Sequence, residues 1–132
     1  MRDLRNDRMR RAGVREERLR ATAGLRSSST LSSWRGRSGR RYIVGVHPLN
    51  ETELLDVIDA VILAVRRDRD GTGTVVDAAM AASEPAAQTR MRWLAKVQEL
   101  GATELHIHRL AATDEDRRAI FEDLREDETQ AS

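Results

Sequence analysis

Val61-Ile62-Leu63-Ala64-Val65-Arg66-Arg67 and Thr74-Val75-Val76-Asp77-Ala78-Ala79 flank the segment Asp68-Arg69-Asp70-Gly71-Thr72-Gly73. Two β-branched runs around an Asp-Gly turn read as a hairpin. A lone hairpin is marginal in water, so the rest of the chain must supply further strands and a cover for the apolar face.

Other segments supply both. Arg41-Tyr42-Ile43-Val44-Gly45-Val46-His47-Pro48 reads as a strand closed by Pro48. Asn50-Glu51-Thr52-Glu53 has the capping residue and later Glu of a helix start. The spacing of Leu54, Leu55, Ile58, Val61, Ile62 and Val65 suits one helix over 51–67. The Val and Ile density of the later part favours a short helix at about 51–58 followed by the strand. Ser83-Glu84-Pro85 predicts another helix start, with Trp93, Leu94, Val97 and Leu100 as its apolar stripe and Gly101 as its end. Glu104-Leu105-His106-Ile107-His108-Arg109-Leu110 alternates as a strand. Thr113 to Asp116 caps a last helix that buries Ile120, Phe121 and Leu124.

The expected fold class is α+β: a small, mostly antiparallel sheet of about four strands, covered on one face by two helices. Val44, Val46, Leu105 and Ile107 would face those helices. The other sheet face would be partly open to solvent.

Charge divides the 132 residues into an arm and a body. Residues 1–41 hold thirteen Arg against four acidic residues, and residues 42–132 carry a net charge of −8. Residues 1–40 lack an apolar stripe and include the Ser-rich stretch 27–33, so they read as a largely disordered Arg-rich arm and linker. The compact α+β domain is expected over 41–126 and a frayed tail over 127–132. The arm has no apolar stretch of the kind a secretory signal carries. No apolar run reaches the length of a membrane span, and the absence of Cys removes disulfides and thiolate chemistry. A cytoplasmic setting is expected.

The leading functional expectation is a binding or regulatory module. Its arm would contact nucleic acid or another polyanion without sequence specificity, through phosphate contacts from Arg35, Arg37, Arg40 and Arg41 and base stacking on Trp34. One alternative is a metal-dependent hydrolase. His106 and His108 are two apart on a strand and project from one face with Glu104. His47 joins them if the first and last of the four expected strands are neighbours, and three imidazoles would hold a divalent metal. A second alternative is a protein partner bound through the acidic body, whose tail residues Glu122, Asp123, Glu126, Asp127 and Glu128 would otherwise be a solvated face or fold back on the arm. No glycine-rich nucleotide loop is present, and no cofactor is otherwise expected.

Two short resemblances bear on the hydrolase alternative. Asp68-Arg69-Asp70-Gly71-Thr72 resembles the nucleophile motif of haloacid-dehalogenase-type phosphatases, in which the first Asp attacks phosphorus. It departs from the pattern at Arg66 and Arg67, where that family continues apolar, and a hairpin tip accounts for the same letters. The order of Tyr42, Arg90 or Arg92, and Glu122 resembles that of GIY-YIG nuclease domains. The second signature is missing at Ile62-Leu63-Ala64-Val65, so this resemblance implies a catalytically degenerate domain.

Overall fold

Strand pairing builds the frame of the protein. A computed structural model describes residues 13–17, 30–82 and 86–125. The strands are β1 (Arg15–Glu17), β2 (Thr30–Arg35), β3 (Arg41–Pro48), β4 (Ala60–Arg67), β5 (Gly73–Ala81) and β6 (Glu104–His108). The helices are α1 (Glu51–Asp56), α2 (Ala87–Glu99) and α3 (Asp114–Leu124). The expected tail 127–132, the Ser83-Glu84-Pro85 helix start and most of the arm lie outside the described residues.

The strands form one antiparallel sheet in the order β1-β2-β3-β6-β4-β5, curled into a half-barrel. This corrects the expectation of about four strands under two helices. Residues 15–17 and 30–35, expected in the arm, are strands: β2 pairs with β3 over six positions, from Thr30↔Val46 to Arg35↔Arg41. A backbone that pairs along its full length satisfies its own polar groups, and that outweighs the poor strand propensity of Ser32 and Ser33. The segment 51–67 divides as a helix and then a strand. Asn50 Oδ1 accepts from Glu53 N at 2.9 Å to start α1, and the buried Arg90 guanidinium donates to the Leu54 carbonyl at 2.9 Å near its end.

Register decides which residues share a face. Val46 lies opposite His106, and Leu63 opposite His106 on the other side. Val44, Val46, His106 and His108 therefore share the concave face, while Leu105 and Ile107 point to the convex one. The expectation that all four apolar residues meet the same helices is corrected by this one-residue parity. Each face is covered over part of its width, and Leu31 and Ile43 on the convex side of β2 and β3 stay exposed. On the convex side Leu54, Val57 and Leu94 pack on Ile62, Leu105 and Ile107. On the concave side Leu124, Ile120 and Phe121 of α3 pack with Trp34, Val44, Val61, Leu63 and Val65. The pairing shifts by one residue between Ala64 and Val65, a bulge that adds twist and helps the sheet curl. The curl brings β1 back toward the start of β5, where Glu16 meets Arg67.

Candidate nucleic-acid interface

The β2–β3 hairpin carries the arginines that the sequence singles out, and its geometry sorts them into two groups. Arg35 and Arg41 lie opposite each other on the convex side, with Arg15 beside them. All three approach one carboxylate: Arg41 Nε is 2.8 Å, Arg35 Nε 2.9 Å and Arg15 Nη2 3.4 Å from Glu17. Three guanidiniums on one carboxylate leave a net positive patch. The hydrogen bond from Arg35 and the surrounding positive charge hold the Glu17 carboxyl below its ordinary pKa.

Arg37 and Arg40 sit at the hairpin turn, on the wall of a groove of about 690 Å³ between that turn, β3, β6 and α3. Such a volume is within the range of small-ligand sites. Asp123 of α3 anchors the turn. Its carboxylate accepts from the Ser38 backbone N–H at 2.7 Å, from Ser38 Oγ at 2.7 Å and from the Tyr42 hydroxyl at 2.8 Å. Gly36 lets the carboxylate come this close, because a Cβ there would lie 2.2 Å from Asp123 Oδ2. Arg37 adds a bond to the Glu122 carbonyl. Burial alone would raise the Asp123 pKa; the hydrogen bonds from Ser38 and Tyr42 outweigh it and hold the group below its ordinary value. Burial, then the bond to Asp123, pushes Tyr42 up to about 12. Tyr42 is thus a neutral donor across the physiological range.

His108 forms the groove's inner wall. Its ring meets Tyr42 edge-on, with centroids 5.6 Å apart. Its Nδ1 lies 2.8 Å from the Ile43 carbonyl oxygen, which only accepts, so Nδ1 carries the proton. In the neutral form of the ring, the lone pair is then on Nε2.

Trp34 does not reach this surface. It is 0% exposed and offers no face to a base. Its indole N–H instead donates to His106 Nδ1 at 2.9 Å. His106 Nε2 is 2.8 Å from Glu104 Oε1, Glu104 Oε1 is 2.7 Å from Arg67 Nη2, and Arg67 Nη1 is 2.6 Å from Glu16 Oε1. This chain of polar groups fills one end of the half-barrel. Burial pushes the His106 pKa down, against an upward pull from Glu104. Burial would raise Glu16 and Glu104, yet their bonds to Arg67 leave both lowered.

The three histidines do not converge. β3 and β6 are neighbours, but His47 lies opposite Leu105 and so projects from the convex face, where its Nδ1 is 3.1 Å from Glu53. His106 and His108 share the concave face, buried rather than on the open face expected of them. Among the described residues, no group of three His, Cys, Asp or Glu side chains is placed to hold a metal ion. Asp68 and Asp70 belong to the β4–β5 turn, where Asp70 Oδ1 accepts from the Thr72 backbone N–H at 2.9 Å. Arg90 is committed to the end of α1.

Ser38, Glu16 and Arg67 escaped the sequence reading as site residues, and Asp123 entered it only as part of the acidic tail that would bind a partner or fold back on the arm. Glu16 and Arg67 are 51 positions apart, and no local spacing announces their contact. Among the described residues, no helix is long and apolar enough to cross a membrane. No protein-family model, curated protein or solved structure matches the chain.

Proposed function

We propose that this protein is a binding module that holds single-stranded nucleic acid by its phosphates on the β2–β3 hairpin, with a nucleotide entering the groove under α3. One observation carries the reading: Arg37 and Arg40 line a groove whose inner wall is Tyr42 and His108, and which the α3 carboxylates Asp116, Glu122 and Asp123 also line. Guanidiniums suit phosphate oxygens in charge and shape, and an aromatic wall suits a base or sugar. The patch around Glu17 extends the positive surface to the hairpin's convex side. The net charge of +9 over residues 1–41 supplies long-range attraction. Tyr42 takes the place of Trp34 as the aromatic contact. A cytoplasmic setting, where such strands are available, is part of the proposal.

The test is fluorescence anisotropy of labelled single-stranded oligonucleotides against the full chain across a salt series. Affinity is expected to fall with salt at about 0.7 per phosphate contact in the log–log slope. Arg40→Ala is the cleanest variant, because the Arg40 guanidinium makes no ion pair among the described residues. It should weaken binding to all sequences alike and reduce the slope by about one contact. Salt-independent binding, or an Arg40→Ala protein with unchanged affinity and slope, overturns the reading.

A further inference from the structure

We infer that His108 Nε2 reads the sugar of the bound strand, accepting a hydrogen bond from a ribose 2′-hydroxyl, so that the groove prefers RNA to DNA. The inference rests on the phosphate-binding reading above and names the ligand's chemistry within it. His108 is 5% exposed, and no bond from Nε2 to any described group accompanies the one that Nδ1 makes. The main-chain bond to Ile43 fixes the tautomer, and the Tyr42 ring packs against the imidazole. The ring is therefore held in place with its lone pair uncommitted in the wall of the groove.

The other side-chain acceptors in the groove suit this role less well. Asp123 already takes three hydrogen bonds. Asp116 and Glu122 are carboxylates of α3, and a carboxylate bonded to a 2′-hydroxyl would stand close to the adjoining phosphate and repel it. A neutral imidazole accepts the same proton without that repulsion. Arg40 and His108 line the same groove, so a phosphate held by Arg40 leaves its neighbouring sugar within it. The 2′-hydroxyl is the group by which a protein tells RNA from DNA at one position.

The experiment compares three labelled strands of one sequence, as RNA, DNA and 2′-O-methyl RNA, by anisotropy with the full chain. One hydrogen bond corresponds to RNA binding about five- to tenfold tighter than DNA. The methylated strand keeps the 2′-oxygen but has no proton to donate, so it is expected to bind as DNA does. His108→Phe keeps the ring and should abolish the RNA–DNA difference; His108→Gln, which can still present an acceptor, should retain part of it. Equal binding of RNA and DNA overturns the inference and leaves the phosphate reading standing. So does methylated RNA bound as tightly as RNA, a comparison made on the unaltered protein and independent of whether His108→Phe folds. An undiminished RNA preference in a folded His108→Phe protein also overturns it. Failure of every strand to bind overturns both.

Discussion

The indole N–H of Trp34 donates to Nδ1 of His106 across 2.9 Å, joining two side chains 72 positions apart inside the half-barrel. This contact dictates the state of the imidazole. A donor facing Nδ1 leaves no room for a proton there, so the ring is neutral and gives its Nε2 proton to Glu104. The proton order then runs from Trp34 through His106 to Glu104, and Arg67 closes the chain against Glu16. Each of these five side chains has a partner within the network, which is the condition for such a network to be tolerated in a core.

Acid should therefore unfold the protein in stages. Burial lowers His106 below its ordinary value of 6.5, so the unfolded chain takes up this proton at a higher pH than the folded one. Stability is present above about pH 6.5 and declines as pH falls below it. Glu16 and Glu104 are also lowered in the folded state, and their contribution is lost as pH falls below the ordinary 4.5. Thermal unfolding measured from neutral to acid pH checks this, and a melting temperature that rises on acidification would contradict it. Trp34→Phe removes the donor that opposes Nδ1 protonation, so imidazole NMR shifts should show His106 titrating closer to 6.5.

Arg67 balances two carboxylates with its side chain only 18% exposed. Arg67→Ala leaves both acids partly buried without a counter-charge and should cost about 3–5 kcal/mol in chemical denaturation. If the cost is electrostatic, Arg67→Met combined with Glu16→Gln and Glu104→Gln should recover most of it. A triple variant no more stable than Arg67→Ala would show that packing, not charge, is what Arg67 supplies.

Tyr42 is the chain's one tyrosine, so tyrosinate absorbance reports on it directly. Its ionisation is pushed up to about 12. The folded protein should show little tyrosinate near pH 10, where an exposed tyrosine is about half ionised. The sign is opposite to that of the acids: Tyr42's contribution to stability is complete below about pH 10 and fades as pH rises above it. Asp123→Asn removes the negative charge next to the hydroxyl and should bring the midpoint down. An unchanged midpoint would mean burial alone sets it.

At Gly36 a methyl group would collide with Asp123, 2.2 Å from Oδ2 and 2.5 Å from Cγ. Gly36→Ala should displace the carboxylate from Ser38 and Tyr42 and cost about 1–3 kcal/mol. Tyrosinate should then form at lower pH than in the parent protein. Unaltered stability together with an unaltered Tyr42 titration would show that the turn accommodates the methyl by moving away from α3.

How much of this could be read in the sequence depended on distance along the chain. The β4–β5 hairpin, the Asn50 and Thr113 caps, and the strand pattern of β6 are local, and residues within a few positions specify them. Spacing two apart correctly put His106 and His108 on one face. It did not say which face, since Val46↔His106 and His47↔Leu105 are decided by register between strands about 60 positions apart.

Periodicity, caps and turn chemistry thus determined most of the elements from residue 41 onward, because each is stabilised by neighbours in sequence. The tertiary structure alone decided that Arg15–Glu17 and Thr30–Arg35 are strands, because their backbone groups find partners only when β3 is in place. It also decided that Trp34, with arginines around it in sequence, belongs to the core. Its indole N–H needed a buried acceptor, and folding supplied one in His106, a residue no local pattern could connect to it.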